Sequence, residues 1–156
     1  MSITIGQAAP DFKLPNTEKE FQTVSQYKGK NVLLLFFPLA FTGTCTTELC
    51  SIRDDIARYS KANAEVLGIS IDTPFSLKKY KEEQKLPFQL LSDFNKEAIT
   101  AYGNAYSEFS CGLKGVAKRS AFLIDKTGIV RYAEVLESAG DLPNFDAINK
   151  VLEGLN

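Results

Sequence analysis

Residues 31–59 read NVLLLFFPLAFTGTCTTELCSIRDDIARY. The opening NVLLLFF is a continuous apolar run, the pattern of a central strand buried on both faces. From Cys45 the period changes. Cys45, Leu49, Ile52, Ile56 and Tyr59 recur at spacings of four, three, four and three, the stripe of one amphipathic helix. Strand, threonine-rich turn and helix make a βα unit. Cys45 falls at the carboxyl end of the strand and the amino end of the helix, where open α/β sheets place ligand sites. The first helical N–H groups lack intrahelical partners and the helix dipole favours an anion there, in this case a thiolate.

Working outward, EVLGISID (65–72) predicts a second strand, and SLKKYKEEQ (76–84), with Pro74 near its start, a second helix. PFQLLSD (87–93) predicts a short strand and NKEAITAYG (95–103) a helix ending at Gly103. SAFLID and IVRYAEVL are joined by Lys126-Thr127-Gly128, a hairpin signal with glycine available for the left-handed position, and FDAINKVLEGL closes as a helix. Upstream, ITIG, FKLP and FQTV, split by Pro10, Pro15 and Gly29, predict small strands or a hairpin. A βαβ unit followed by ββα is the thioredoxin arrangement. The expected fold is therefore α/β and thioredoxin-like, one domain over residues 1–156, with an N-terminal extension and an insertion between the halves. A flavodoxin-like doubly wound sheet would alternate strand and helix to the end, and the Lys126–Gly128 hairpin argues against it.

Composition narrows the chemistry. The net charge of −1 makes no electrostatic case for nucleic acid or an anionic membrane as partner. The opening MSITIGQAAPDF has no basic region followed by an apolar run, and no stretch is long enough to span a bilayer, so a cytoplasmic address is expected. In that compartment three cysteines are thiols rather than a disulfide framework. Histidine is absent, which removes Cys–His pairs, Ser–His–Asp triads and histidine-ligated metals. Three scattered cysteines cannot complete an all-cysteine zinc site, and no metal or other cofactor is expected. A phosphatase loop needs arginine six residues after its cysteine; those positions hold Ser51, Ile56 and Ala117. Thiol chemistry here must rest on arginine, hydroxyls and backbone dipoles. Thr42 and Thr44 are placed to cap the helix or donate hydroxyl hydrogen bonds, and Glu48, read as first-turn, to orient a cation. The competing view of Cys45 is a small buried apolar residue. For Arg119 it is a solvated charge at a strand edge.

Pro38-x-x-x-Thr42-x-x-Cys45 resembles the active-site signature of the peroxiredoxins, in the alkyl hydroperoxide reductase and thiol-specific antioxidant superfamily. GQAAPDF resembles that family's N-terminal segment, Arg119 in KRSAFLID its second active-site element, and DKTGIVRY the hairpin after it. The matches are in order along nearly the whole chain. The resemblance implies a thiol-dependent peroxidase acting on hydrogen peroxide or organic hydroperoxides. Cys45 would be the peroxidatic thiolate, oxidised to a sulfenic acid. Thr42 and backbone N–H groups near Thr44 and Cys45 would hold the peroxide, Arg119 would stabilise developing charge, Pro38 would shield the thiolate and Glu48 would orient Arg119. Phe37, Phe41 and Phe109 are candidates for an apolar rim. A thioredoxin-like or glutaredoxin-like protein, or a small thiol, would be the reductant, and a homodimer is expected by analogy.

Cys50 is the nearest candidate for the resolving cysteine. The bacterioferritin-comigratory branch often carries one at this offset. FFPLAFTGTCTTEL and SIRDD look closer to the one-cysteine, alkyl hydroperoxide reductase E-like branch, so the sequence mixes two patterns. In an intact helix residues five apart have Cα atoms roughly 8.7 Å apart, whereas a disulfide wants about 4.4–6.8 Å. A Cys45–Cys50 bond thus requires the first turn to unwind. The alternatives are that Cys50 is an ordinary half-buried helix residue, that Cys111 in EFSCGLKG resolves instead, or that a one-cysteine cycle uses an external thiol. A thioredoxin-type disulfide oxidoreductase is permitted by the fold but lacks Cys-x-x-Cys.

Overall fold

The computed structural model describes residues 2–155. After an extended segment, β1 (Leu14–Pro15) and β2 (Phe21–Gln22) pair antiparallel as a two-stranded hairpin. ITIG forms no strand. Gly6 takes φ +99° and the segment is tied by single backbone bonds, Gly6 N–H to Val130 O at 2.8 Å and Val130 N–H to Gln7 O at 2.9 Å.

β3 (Asn31–Phe36) is buried along its whole length, as the apolar run predicts. Alternate side chains enter two cores. Leu33, Leu35 and Phe37 pack under the helices of one face; Val32, Leu34 and Phe36 pack on the other with Phe12, Ile99 and Tyr102. β4 (Ala64–Ser70) runs parallel to β3, β5 (Gln89–Ser92) runs parallel to β4, and β6 (Ser120–Ile124) and β7 (Val130–Val135) add antiparallel on the far side, giving the order β5-β4-β3-β6-β7. β5 widens the sheet at the edge beyond β4, with the helix before it (Pro74–Gln84) on the face of Leu33 and Leu35 and the helix after it (Glu97–Tyr102) on the opposite face. This is the thioredoxin-like α/β fold.

The stripe beginning at Cys45 is two helices rather than one. α1 spans Gly43–Asp54 and α2 spans Ile56–Lys61, with Asp55 between them at φ −117°, ψ 20°. Consecutive aspartates explain the break. Aspartate competes for backbone hydrogen bonds and is unfavourable at a helix C-terminus, yet suits the N-terminus of the next helix. Arg58 closes that corner, Nε donating to Asp55 Oδ2 at 2.7 Å. Ile52 and Tyr59 still reach the same core.

α3 (Pro74–Gln84) starts with Thr73 accepting from Ser76 N–H, and α4 (Glu97–Tyr102) ends on left-handed Gly103. The Asp93 carboxylate takes the N–H groups of Glu97, Ala98 and Ile99 at 2.7–3.1 Å, a cap lying outside the helix. The β6–β7 turn has Gly128 at φ +89°, and Asp125 binds Thr127 and Ile129 N–H groups. α5 (Phe145–Glu153) returns to the face of α1 through Ile148 and Leu152.

Candidate active site

The turn from β3 to α1 is pinned at several points. Phe37 N–H donates to Ile69 O at 2.9 Å, and Ala40 N–H donates to Asp72 Oδ2 at 2.8 Å. Phe41 adopts φ +66°, a left-handed conformation unusual for a bulky residue. Thr42 stands at the N-cap with extended backbone, but its hydroxyl does not cap α1. It turns back to donate to Leu39 O at 2.8 Å. The expected side-chain cap is thus replaced by a bond within the turn. Because α1 begins at Gly43, Glu48 lies in its second turn and not its first.

The register of β3 against β6 pairs Phe36 with Ser120. Arg119, the residue before β6, is thereby set beside the carboxyl end of β3. Its guanidinium is buried, 1% exposed, and so is no solvated edge charge. Arg119 Nη1 donates to Glu48 Oε1 at 2.7 Å; Nη2 donates to Cys45 Sγ at 3.2 Å and to Ala139 O at 3.0 Å. Cys45 is 1% exposed and packs into the core on one side, while its sulfur meets the cation on the other. Cys45 thus combines buried packing with a polar contact at its sulfur.

Burial pushes the Glu48 carboxyl up to about 7, against the pull of Arg119. Burial opposes the charge on Arg119, yet the neighbouring Glu48 and Cys45 hold the guanidinium above the ordinary arginine range. Glu48 Oε2 and Arg119 Nε have no hydrogen-bond partner among the described residues.

A cleft of about 230 Å³ opens over this group. Pro38, Thr42, Thr44, Cys45 and Arg119 line it together, with Phe109, Ala139 and Gly140 opposite. Of the proposed aromatic rim only Phe109 contributes. Phe37 is core, and Phe41 is 53% exposed with its ring 4.9 Å from Tyr80. Ala139 and Gly140 had no signal in the sequence, being small residues of an irregular loop.

Cys45, Cys50 and Cys111 are free thiols. Cys50 is half-buried on intact α1, its Sγ 3.6 Å from Gln84 Oε1. Cys111 is exposed on a short 3-10 turn at φ +62°, two residues beyond Phe109. The described residues contain no cluster of side chains able to hold a metal, and no helix long and apolar enough to cross a membrane.

A thioredoxin-like sheet that presents one buried thiol to an arginine at a helix start defines a thiol-based redox protein. The family model described as the AhpC/TSA family matches residues 5–133. A putative peroxiredoxin bcp from Coxiella burnetii is 41% identical over 132 residues, covering 83% of this chain and 87% of the relative. Alkyl hydroperoxide reductase E from Mycobacterium tuberculosis is 39% identical over 134 residues, covering 85% and 86%. The crystal structure of a peroxiredoxin-like protein from Aquifex aeolicus superposes with TM-score 0.91 at 25% identity, covering 100% of this chain and 90% of that one. The chain belongs to the AhpC/TSA family, the peroxiredoxins, and is a thiol-dependent peroxidase. The family uses peroxide substrates and thioredoxin-like reductants and is often dimeric.

Proposed function

We propose that Cys45 is the peroxidatic cysteine, reducing hydrogen peroxide and organic hydroperoxides. The supporting observation is the single guanidinium that meets Cys45 Sγ at 3.2 Å while Glu48 fixes it at 2.7 Å, beneath an open cleft. The thiolate attacks one peroxide oxygen. An S–O bond forms, the O–O bond breaks, and the departing oxyanion takes a proton to leave as water or alcohol; Cys45 becomes a sulfenic acid. Arg119 neutralises charge as it develops, in place of histidine. Thr42 lines the cleft with its hydroxyl hydrogen already given to Leu39, leaving its oxygen lone pairs to accept from the peroxide O–H. The N–H groups at Thr44 and Cys45 serve the other oxygen. Pro38 covers the sulfur, and Glu48 keeps the guanidinium aligned.

Cys50 resolves the sulfenic acid as an intramolecular disulfide, which a thioredoxin-like or glutaredoxin-like protein or a small thiol then reduces. Residues 1–156 act as one thioredoxin-like peroxiredoxin domain, in the cytoplasm and as a homodimer. Replacing Cys45 with serine should abolish peroxide-dependent thiol oxidation, and undiminished turnover would sink the assignment. Mass mapping after one equivalent of peroxide tests the resolver. A Cys45–Cys50 disulfide is expected; a lasting Cys45 sulfenic acid with Cys50 free would point to a one-cysteine cycle with external thiol.

A further inference from the structure

Helix α3 touches α1 at two points, one beside each of the two cysteines. Tyr80 is fully buried, and its hydroxyl lies 2.8 Å from Thr46 Oγ1, on the residue following Cys45. The same ring meets Phe41 edge-on at 4.9 Å, on the other side of the turn. One helical turn further along α3, on the same face, Gln84 accepts from Cys50 Sγ at 3.6 Å, and its carbonyl accepts from Arg53 Nη1 at 2.6 Å. α3 thus grips the turn at Phe41 and holds α1 from Thr46 to Arg53 in its helical form.

That form keeps the two sulfurs apart. Disulfide formation requires the first turn of α1 to unwind, which carries Thr46 away from Tyr80. The tyrosine hydroxyl would then be left buried without its partner, a costly state for a polar group. Burial pushes the Tyr80 phenol up to about 12 while the turn is helical, so the hydroxyl that meets Thr46 is neutral.

We propose that Tyr80 is a positioning residue that latches the first turn of α1 through Thr46 and Phe41, and so sets how fast the Cys45 sulfenic acid reaches Cys50. This rests on the reading of Cys50 as resolver. In the released state the Cys50 thiolate attacks the Cys45 sulfur. The S–S bond forms, the S–O bond breaks, and hydroxide leaves with a proton as water. While the latch holds, the sulfenic acid stays in the cleft, and a second peroxide converts it to sulfinic acid with release of water or alcohol. The latch therefore divides the flux between recyclable disulfide and overoxidised enzyme.

The test is rapid-quench alkylation with mass spectrometry on the full chain, using hydrogen peroxide, for wild type, Tyr80→Phe and Thr46→Val. Loss of one hydrogen bond should speed disulfide formation roughly three- to tenfold in either variant. The double variant should gain no more than the larger single effect, because both changes remove one contact. The first oxidation of Cys45 should keep its rate, and the sulfinic fraction at excess peroxide should fall. A general loosening of the fold would disturb the first oxidation as well. If wild type and variants form the disulfide at one rate, or the variants are slower, the latch is wrong while Cys50 remains the resolver. If no Cys45–Cys50 disulfide forms in any of them, the reading of Cys50 fails and takes the latch with it. Should Tyr80→Phe not fold, Thr46→Val decides alone.

Discussion

Arg119 binds three groups at once: the thiol and the carboxylate of α1, and the carbonyl of Ala139 beyond β7. Arginine suits this place because a planar fork offers several donors in fixed directions, whereas a lysine ammonium is a point charge on a flexible stem. Arg119→Lys should therefore slow the first oxidation of Cys45 by about ten- to hundredfold, the effect of losing a charge-assisted hydrogen bond. Stopped-flow peroxide consumption measures it; a rate equal to wild type would show that the guanidinium is not needed. Pro38, Thr42 and Cys45 were legible because they lie within one short turn. The partners that fix Arg119 were less so. Glu48 falls in the second turn because α1 starts two residues ahead of the Cys45 stripe, at Gly43, and Ala139 contributes only backbone, which carries no residue-type signal.

Elements were readable wherever period and turn chemistry agreed. β3, the β6–β7 hairpin and α5 stand where the apolar pattern put them. The stripe from Cys45 to Tyr59 failed in one respect. Its period runs on through Asp55, but the backbone does not, because two adjacent aspartates end one helix and begin another. β4 shows a further constraint invisible to period. A Cβ placed on Gly68 would stand 2.7 Å from Leu90 Cδ2 and 3.4 Å from Phe37 Cε1, both core side chains. Gly68→Ala should destabilise the protein by about 1–3 kcal/mol, the usual penalty for overpacking a filled core. Urea unfolding would register it as a lower midpoint, and an unchanged midpoint would mean the neighbours yield freely.

For the molecule as a whole, the Glu48–Arg119 pair joins α1 to the strand on the other side of β3, and its titration belongs to the folded state. Glu48 holds its proton up to about pH 7 when folded, but releases it near pH 4.5 when unfolded. Between those values the folded chain binds more protons, so this contribution is full below the unfolded value and is lost as pH rises through the folded one. Glu48→Gln should flatten that fall. Unfolding free energies at about pH 5 and about pH 8 would show a smaller difference in the variant than in wild type; equal differences would be evidence against the assignment.

The sequence alone determined the order of the main strands and helices apart from the break at Asp55, the placing of Cys45 at a helix start, and the need for an arginine in a chain without histidine. Those properties follow from periods of two and 3.6 residues and from turn chemistry, which act over a few neighbouring positions. Tertiary structure alone decided that Arg119 reaches Cys45, that Glu48 is buried against it, and that Tyr80 and Gln84 grip the segment joining the two thiols. These contacts join residues far apart in the chain. They depend on the register of β6 against β3 and on how α3 packs against α1, and no local period encodes either.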